Sequence, residues 1–301
     1  MTAPLPASLD EGLAAGLLPD RDPRGHKGTF GRVVVVAGCL DYAGAALMSG
    51  AAALRAGSGL VTLCLPASLQ PHLAGRVPEL ITRGLPETAP GQVDPPASAA
   101  AILEQPQDAL LVGPGLAPGR ATTRLVQALL AAEGPPAVVD AGALDALAGT
   151  RGWSGRVRRA CVLTPHPGEL RRLGYEAGST ADERSRAAVT AATAWRQVVV
   201  LKGAGTVIAE PGGQALLAPF SVPALGTAGS GDVLAGVIVS LVGQGLAPFD
   251  AAALGVYLHA RAGEQLGEQL GDAGLMATDL LTQIPRVRAH LRGIRGTAKR
   301  S

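Results

Sequence analysis

The chain has 301 residues, 47% of them hydrophobic, so it can bury a sizeable core in one large domain or two small ones. Its 26 basic and 24 acidic residues leave a net charge of only +2, and charged residues make up 17% of the chain. This balance provides no basic surface of the kind that binds nucleic acid or anionic lipid. We therefore expect neither a nucleic-acid partner nor a membrane partner.

The N-terminus bears on the compartment. No basic segment precedes the first apolar stretch, and Asp10 and Glu11 interrupt that stretch, which is not typical of a secretory signal. The longest apolar helix candidate, residues 233–242, is too short to span a bilayer. The three cysteines lie in apolar stretches without metal-binding spacing, as buried reduced thiols do. These features favour a cytoplasmic protein.

Six short runs rich in β-branched residues recur along the chain, with helical stretches between them. They are RVVVVAG from Arg32, LVTLCLP from Leu60, ALLVGPG from Ala109, PAVVDAG from Pro136, CVLTPHPG from Cys161 and QVVVLKG from Gln197. Such alternation predicts a parallel sheet with crossover helices. Ligands of open α/β sheets bind at the carboxyl ends of the strands, so we expect the functional residues along one edge of the sheet.

The pattern changes after Lys202. TVIAE and QALLAP, joined by a PGG turn, predict a β-hairpin, and residues 233–242, 247–269 and 276–291 predict three largely buried helices. Residues 84–98 and the tail from Gly293 are interpreted as loops. Because no repeat or linker divides the chain, we predict a single α/β domain over residues 1–301, with its core at about 25–291 and a flexible C-terminal tail.

The strongest functional signal is LGTAGSGDVLAGVIVSL at residues 225–241, where Gly229, Ser230, Gly231 and Asp232 lead into an apolar helix. Backbone N–H groups at such a helix start are unpaired and can hold a phosphate. Asp232 would then stand beside that phosphate, where a carboxylate can accept a proton from an attacking hydroxyl. The alternative is an ordinary glycine-rich loop in which Asp232 caps the helix.

A second signal is VVVLKGAGTVIA, in which Lys202 ends a strand and is followed by Gly203, Ala204, Gly205 and Thr206. Small residues let the backbone approach a ligand, while lysine and threonine supply donors. A phosphate or ribose cradle and a tight turn between two strands explain this segment equally well. The spacing is not that of a Walker-type loop.

A third signal is VLTPHPGEL, where two prolines hold His166 and Glu169 in a fixed relation at the end of a strand. His166 is a candidate ligand contact, whereas Glu169 is equally an acid favoured by the helix dipole in a first helical turn. Two further small-residue sites, at 44–46 and in GPGL at 113–116, are interpreted as tight helix packing and as a turn.

Together these segments resemble the NAD(P)H-hydrate dehydratase family. The resemblance rests, in order, on HKGTFGRV, YAGAAL, RAGSGLV, GPGL, VVDAGAL, LTPHPGEL, VLKGAGTVIA, AGSGDVLAG and YLHARAGE, between about Gly25 and Pro285. It implies a ribokinase-like three-layer α/β sandwich, with a mostly parallel central sheet flanked by helices, and a homotetramer. One departure is Ala228, where the family usually has glycine; a methyl group there would narrow the phosphate loop if φ had to be positive.

The resemblance also implies which residues bind which ligand. Nucleotide would lie against Lys202, Gly203, Ala204, Gly205, Thr206 and Gly231, with its phosphates on the loop Gly229, Ser230 and Gly231. Hydrated nicotinamide would contact Ala46, Gly115, His166 and Asp232. No side chain is expected to bind a metal directly, although Glu169 is a candidate for holding a water of Mg²⁺.

The implied reaction repairs damaged cofactors. A phosphoryl group passes from ADP, or less favourably ATP, to the ring hydroxyl of the S-form of hydrated NADH or NADPH (NADHX and NADPHX). Phosphate is then eliminated and NADH or NADPH is restored, with Asp232 as the base for the transfer and Mg²⁺ bridging the nucleotide phosphates. A separate NAD(P)H-hydrate epimerase is the expected partner.

Two alternatives remain at this point. A small-molecule kinase acting on a thiazole, pyrimidine or pyridoxal compound would share the GSGD step but release a stable phosphate ester. In such kinases an asparagine commonly precedes the equivalent glutamate segment, whereas His166 and Pro167 here fit the dehydratase. The other alternative is a catalytically silent module that senses the nucleotide.

Overall fold

The computed structural model describes residues 6–298. The strands of this range are β1 (Ala7–Ser8), β2 (Arg32–Val36), β3 (Leu60–Pro66), β4 (Ile81–Leu85), β5 (Glu87–Ala89), β6 (Gln92–Val93), β7 (Ala109–Val112), β8 (Ala137–Val139), β9 (Cys161–Leu163), β10 (Val198–Leu201), β11 (Thr206–Ala209) and β12 (Ala215–Ala218). The helices are α1 (Glu11–Leu17), α2 (Ala43–Ala56), α3 (Gln70–Leu73), α4 (Pro95–Leu103), α5 (Arg120–Ala131), α6 (Gly142–Ala148), α7 (Pro167–Arg172), α8 (Ala181–Trp195), α9 (Ser230–Gly243), α10 (Pro248–Leu270) and α11 (Ala277–Ala298).

Ten of these strands form one sheet in the order β1-β12-β11-β10-β9-β8-β7-β2-β3-β4. Within it, β11 runs antiparallel to both neighbours and the other pairs are parallel. The six β-branched runs are strands of this sheet, and β11 and β12 confirm the predicted hairpin. The chain order reverses direction between β2 and β7, so a crevice opens there at the carboxyl ends of the strands.

The core has two halves, one on each face of the sheet. Along β2, Val33 and Val35 pack into the half that α2, α9, α10 and α11 cover. Val34 and Val36 face the other half, which α4, α5 and α8 cover. Because successive side chains of a strand point to opposite faces, burial on both faces requires the continuous apolar runs seen in the sequence. This arrangement confirms the predicted three-layer sandwich.

Residues 84–98 are not a loop, contrary to the prediction. Strands β5 and β6 form a small hairpin there, and α4 begins at Pro95. The carboxylate of Glu87 orders the hairpin by accepting hydrogen bonds from the backbone N–H groups of Ser68, at 2.8 Å, and Gly91, at 2.5 Å. Asp94 caps α4. The fold thus brings Ser68 close to Glu87, and this contact orders residues 84–98 although their composition is typical of a loop.

Both ends of the described chain also differ from the prediction. Helix α11 continues through Gly293 to Ala298, because Arg295 donates a hydrogen bond to the carbonyl of Leu18 and pairs with Asp20 at 3.0 Å. The core starts before residue 25, since Leu9 is fully buried. Residues 299–301 of the predicted tail lie outside the described range. No helix of the described chain is long and apolar enough to cross a membrane.

Candidate functional site

The start of helix α9 forms the centre of the site. Gly229 is its N-cap with φ of +90°, and no side chain caps the helix, so the alternative in which Asp232 is the cap is wrong. A Cβ atom on Gly229 would lie 2.5 Å from Cε of Met48, which is the end of a flexible side chain and can move, so it is the positive φ that favours glycine here. Ala228 does not have a positive φ, so its methyl group brings no backbone strain to the loop. The N–H of Ser230 donates to the carbonyl of Thr227 at 3.4 Å, whereas the N–H groups of Gly231 and Asp232 are open to an anion.

A buried histidine secures this helix start. Nε2 of His259, on α10, lies 2.9 Å from the carbonyl oxygen of Ser230, while Oγ of Ser230 donates to the carbonyl of Leu225 at 2.8 Å. Burial lowers the pKa of His259 to about 4, so the ring is neutral at physiological pH and donates from Nε2. His259 was not among the predicted site residues, and the only sequence signal for it was its position in YLHARAGE.

Three adjacent strands bring a buried charged cluster to the same edge. Nζ of Lys202, after β10, lies 2.7 Å from Oδ1 of Asp140, after β8, and 3.6 Å from Oε2 of Glu169. Oγ1 of Thr164, after β9, donates to the same Oδ1 at 2.8 Å. Burial alone would lower the pKa of Lys202, but the neighbouring carboxylates, Asp140 foremost, outweigh it and raise the pKa. The ammonium therefore stays charged.

Asp140 was not among the predicted site residues. The only sequence signal for it was its position in VVDAGAL, at the end of an apolar strand. The residue is 1% exposed, and a carboxylate at that depth needs partners.

His166 and Glu169 form a reciprocal capping box at α7. Nδ1 of His166 accepts hydrogen bonds from the backbone N–H groups of Gly168 and Glu169, at 3.0 and 3.3 Å. Oε2 of Glu169 accepts one from the N–H of His166 at 2.7 Å. Burial raises the pKa of Glu169, although the charge of Lys202 acts in the opposite direction. Glu169 is thus the first-turn acid that one interpretation predicted.

Two cavities are lined by consecutive residues at the start of α9. The first, which we call the lysine cavity, has a volume of about 570 Å³ and is lined by Lys202, Gly203, Ala204, Thr206 and Gly231, with an apolar end formed by Phe220, Val222, Leu225 and Val256. The second, the aspartate cavity, has a volume of about 480 Å³ and is lined by Asp232, Gly115, Tyr42, Ala45 and Ala141, among others. Gly231 and Asp232 are consecutive residues, so the helix start faces both cavities.

The structure brings most of the predicted nucleotide residues together. Lys202, Gly203, Ala204 and Thr206 line the lysine cavity with Gly231. Gly205 does not line it; with φ of +63°, this residue turns the chain from β10 into β11. The segment is therefore both a tight turn and a cavity wall.

The predicted hydrate contacts are divided between the two cavities. Gly115 and Asp232 line the aspartate cavity, whereas His166 lines the lysine cavity. Ala46 is fully buried and lines neither cavity, and its neighbour Ala45 lines the aspartate cavity. Direct contact between hydrate and the Ala46 or His166 side chain therefore stays a prediction.

The wall of the aspartate cavity is built from unusual backbone. Gly115 has φ of +63°, and a Cβ atom there would lie 2.6 Å from the carbonyl oxygen of Tyr42, so the GPGL turn requires glycine. Ala141 also has a positive φ, of 46°, which is strained for a residue with a side chain. At the start of α2, Gly44 has open space around its Cβ position. The tight packing expected at residues 44–46 occurs at Ala45 and Ala46, which are buried against Gly115 and Gly38. It continues along α2, where Gly236 of α9 lies against Ser49.

The electrostatics of Asp232 suit proton transfer. Burial and the negative charge of Asp140 raise its pKa to about 7, and the charge of Lys202 opposes this rise. A carboxylate with such a pKa accepts a proton from a hydroxyl more readily than an ordinary aspartate does at neutral pH. Among the residues that the structure describes, no three His, Cys, Asp or Glu side chains are grouped so that they could hold a metal ion.

Known proteins resemble this chain in sequence and in fold. A sequence profile described as NAD(P)H-hydrate dehydratase matches residues 33–286. The chain is 46% identical over 277 residues to the bifunctional NAD(P)H-hydrate repair enzyme of Moorella thermoacetica, covering 91% of this chain and 52% of that protein. It is 36% identical over 270 residues to the ADP-dependent (S)-NAD(P)H-hydrate dehydratase of Xanthomonas campestris, covering 88% of this chain and 90% of that protein.

A solved structure agrees with these sequence relatives. The ADP/ATP-dependent NAD(P)H-hydrate dehydratase of Bacillus subtilis, co-crystallised with ATP and Mg²⁺, superposes with a TM-score of 0.83 at 31% identity, covering 95% of this chain and 98% of that one. This likeness confirms the predicted fold class. The chain spans about half the length of the bifunctional relatives it matches. On the strength of the profile match and of the relatives that it covers almost completely, this chain belongs to the NAD(P)H-hydrate dehydratase family.

Proposed function

We propose that this chain catalyses the nucleotide-dependent dehydration of the S-form of hydrated NADH and NADPH, with ADP as the preferred phosphoryl donor. The observation that carries the proposal is that consecutive residues at the start of α9 line two cavities, Gly231 the lysine cavity and Asp232 the aspartate cavity. A nucleotide in the lysine cavity and a hydrated nicotinamide in the aspartate cavity would place donor and acceptor on either side of one helix turn. Two reactants held in this way react as if in one molecule.

Each part of the helix start has a role in this reaction. Asp232 accepts the proton of the ring hydroxyl as that oxygen attacks the terminal phosphoryl group. The open N–H groups of Gly229 and Gly231 and the ammonium of Lys202 stabilise the negative charge on the transferring group. The ring nitrogen then expels orthophosphate and C5 loses a proton, so each restored dihydronicotinamide is accompanied by one orthophosphate and one shortened nucleotide.

A divalent cation fits this scheme as a partner of the nucleotide. The carboxylates of Asp140 and Glu169 already engage Lys202, at 2.7 and 3.6 Å, so they are poorly placed as direct ligands. Mg²⁺ would instead be held by the nucleotide phosphates and water, where it neutralises phosphate charge. The Bacillus relative was crystallised with ATP and Mg²⁺, which supports this assignment.

The relatives also support the choice of substrate and the partners. The Xanthomonas relative is named as ADP-dependent and specific for the S-form, and the Bacillus relative as ADP/ATP-dependent. An enzyme specific for the S-form needs an epimerase to supply it from the R-form, and the bifunctional relatives are named for hydrate repair as a whole. A homotetramer and a separate epimerase stay predictions for this chain.

The test combines purified protein with hydrated NADPH, Mg²⁺ and either ADP, ATP or no nucleotide. We expect dihydronicotinamide absorbance to recover only with nucleotide, fastest with ADP, and orthophosphate to appear in equal amount. The Asp232→Asn variant is the matched control and should show no recovery. Recovery without nucleotide would contradict the proposal. A stable phosphate ester formed from a thiazole, pyrimidine or pyridoxal compound would identify a kinase instead.

A further inference from the structure

Asp140, the buried partner of Lys202, has no step of its own in the proposed reaction. Asp140 is 1% exposed, and its Oδ1 receives hydrogen bonds from both Nζ of Lys202, at 2.7 Å, and Oγ1 of Thr164, at 2.8 Å. The three residues follow the neighbouring strands β8, β9 and β10. Short, regular strand ends therefore hold all three groups in a fixed relation.

Stability alone does not explain this pair. Removing two charges from water costs about as much as their attraction returns, and apolar residues of similar size often stabilise a fold equally well. The pair nevertheless lies where the chemistry would take place. A Cβ atom built on Gly231 would be 3.6 Å from Nζ of Lys202, so the ammonium stands directly beside the first turn of α9.

The ammonium has competing partners in this position. Oε2 of Glu169 lies 3.6 Å away, and Asp232 is close enough to raise the pKa of Lys202. A lysine side chain has four flexible bonds, so its ammonium would move towards these carboxylates if Asp140 did not hold it. An ammonium bound to the base Asp232 would both lose its contact with phosphate and hinder proton transfer.

We propose that Asp140 is a positioning residue, which holds the ammonium of Lys202 beside the first turn of α9, and that Thr164 fixes the orientation of the Asp140 carboxylate. This inference rests on the proposed function in taking the lysine cavity as the nucleotide site. It adds two residues, Asp140 and Thr164, to the machinery of phosphoryl transfer. Neither of them needs to touch the nucleotide.

The proposal predicts a specific change in pH dependence. The negative charge of Asp140 raises the pKa of Asp232, so its removal should move the acidic limb of the kcat/KM profile to lower pH. If the freed ammonium approached Asp232, the shift would have the same direction. The other titratable groups facing this region are Glu169 on α7 and its N-cap His166, Arg184 on α8, Tyr42 before α2, Asp145 on α6 and His259 on α10.

The first experiment measures Mg-ADP affinity by calorimetry, which does not depend on turnover of hydrate. Asp140→Asn and Lys202→Met should each weaken binding by about tenfold, the effect of losing or misplacing one hydrogen bond to a charged group. If Asp140 acts through Lys202, the double variant should bind no more weakly than Lys202→Met alone. Losses that add in the double variant would overturn the proposal.

The second experiment measures kcat/KM against pH in the same variants. Asp140→Asn should lower kcat/KM by about 10- to 100-fold and shift the acidic limb downwards. Thr164→Val keeps the side-chain shape and the charges of Asp140 and Lys202, so it tests the orientation of the Asp140 carboxylate with little risk to folding. It should weaken Mg-ADP binding and lower kcat/KM, whereas Thr164→Ser, which keeps the hydroxyl, should retain both. If Thr164→Val matches wild type in both measurements, the role of Thr164 is wrong.

The matched control is Asp108→Asn. Asp108 lies beside the start of β7, at the opposite edge of the sheet, and its Oδ2 accepts a hydrogen bond from the N–H of Arg32 at 2.8 Å. This variant should keep wild-type kcat/KM and nucleotide affinity. If wild type binds Mg-ADP but does not restore hydrate, the proposed function fails while the calorimetric cycle still decides the role of Asp140.

Discussion

Replacing Asp232 by asparagine should abolish activity and at the same time stabilise the fold at neutral pH. The amide has nearly the size of the carboxylate but cannot accept the hydroxyl proton. Loss of a positioned base typically lowers turnover by about a hundredfold to ten-thousandfold. Because Gly229 rather than Asp232 caps α9, the substitution removes no helix cap.

The gain in stability follows from the pKa of Asp232. Its ordinary value is 3.8 and burial raises it to about 7, so the folded protein keeps a proton that the unfolded chain releases. The stability contributed by the protonated carboxyl is complete below pH 3.8 and is lost as the pH rises to about 7. The difference between these two pKa values corresponds to about 4 kcal/mol of unfolding free energy at most. Since the side chain is only partly buried, we expect about 1 to 2 kcal/mol.

Urea unfolding at about pH 4.5 and about pH 8 measures this difference. The asparagine variant should be more stable than wild type at the higher pH and close to it at the lower. Asp250→Asn is the matched control, because Asp250 occupies the equivalent place in the first turn of α10. This control should keep full activity and gain no stability. An Asp232→Asn variant that retains more than about a tenth of wild-type turnover would refute base catalysis, and one without a pH-dependent gain would refute the electrostatic argument.

Four further outcomes are expected. In wild type, kcat/KM should rise with pH and level off above about 7, as Asp232 loses its proton; a profile flat from pH 5 to 8 would contradict this. Gly115→Ala should raise KM for hydrate, because the new Cβ would lie 2.6 Å from the carbonyl oxygen of Tyr42. Gly155→Ala is the control and should leave KM unchanged, because there is open space around its Cβ position. His166→Asn keeps a good helix cap, so we expect the thermal stability to stay unchanged. We also expect hydrate to bind more weakly and the nucleotide affinity to stay nearly the same; an equal loss of both affinities would favour a role at the nucleotide. Ala141→Gly should raise the free energy of unfolding by up to about 1 kcal/mol, since it relieves a φ of 46°, and a less stable variant would show that the backbone is not strained.

Local sequence determined the elements whose physical cause is local. A strand buried on both faces must be continuously apolar, so β2 and β10 can be predicted from their β-branched runs alone. A turn that needs positive φ selects glycine, which identifies the hairpin after Lys202 and the open start of α9 at Gly229. The order of these motifs along the chain was enough to indicate the family.

Tertiary structure decided whatever depends on residues distant in the chain. Asp140 and Lys202 are 62 residues apart and come into contact only because β8, β9 and β10 are neighbours in the sheet. No spacing in the sequence therefore predicts this ion pair. The pKa of Asp232 likewise follows from burial and from the charge of Asp140, which lies 92 residues earlier in the chain at the end of β8. Helix α11 extends beyond Gly293 because Arg295 donates a hydrogen bond to the carbonyl of Leu18, which is distant in the sequence. Long-range contacts of this kind stabilise conformations that local propensity alone leaves undetermined.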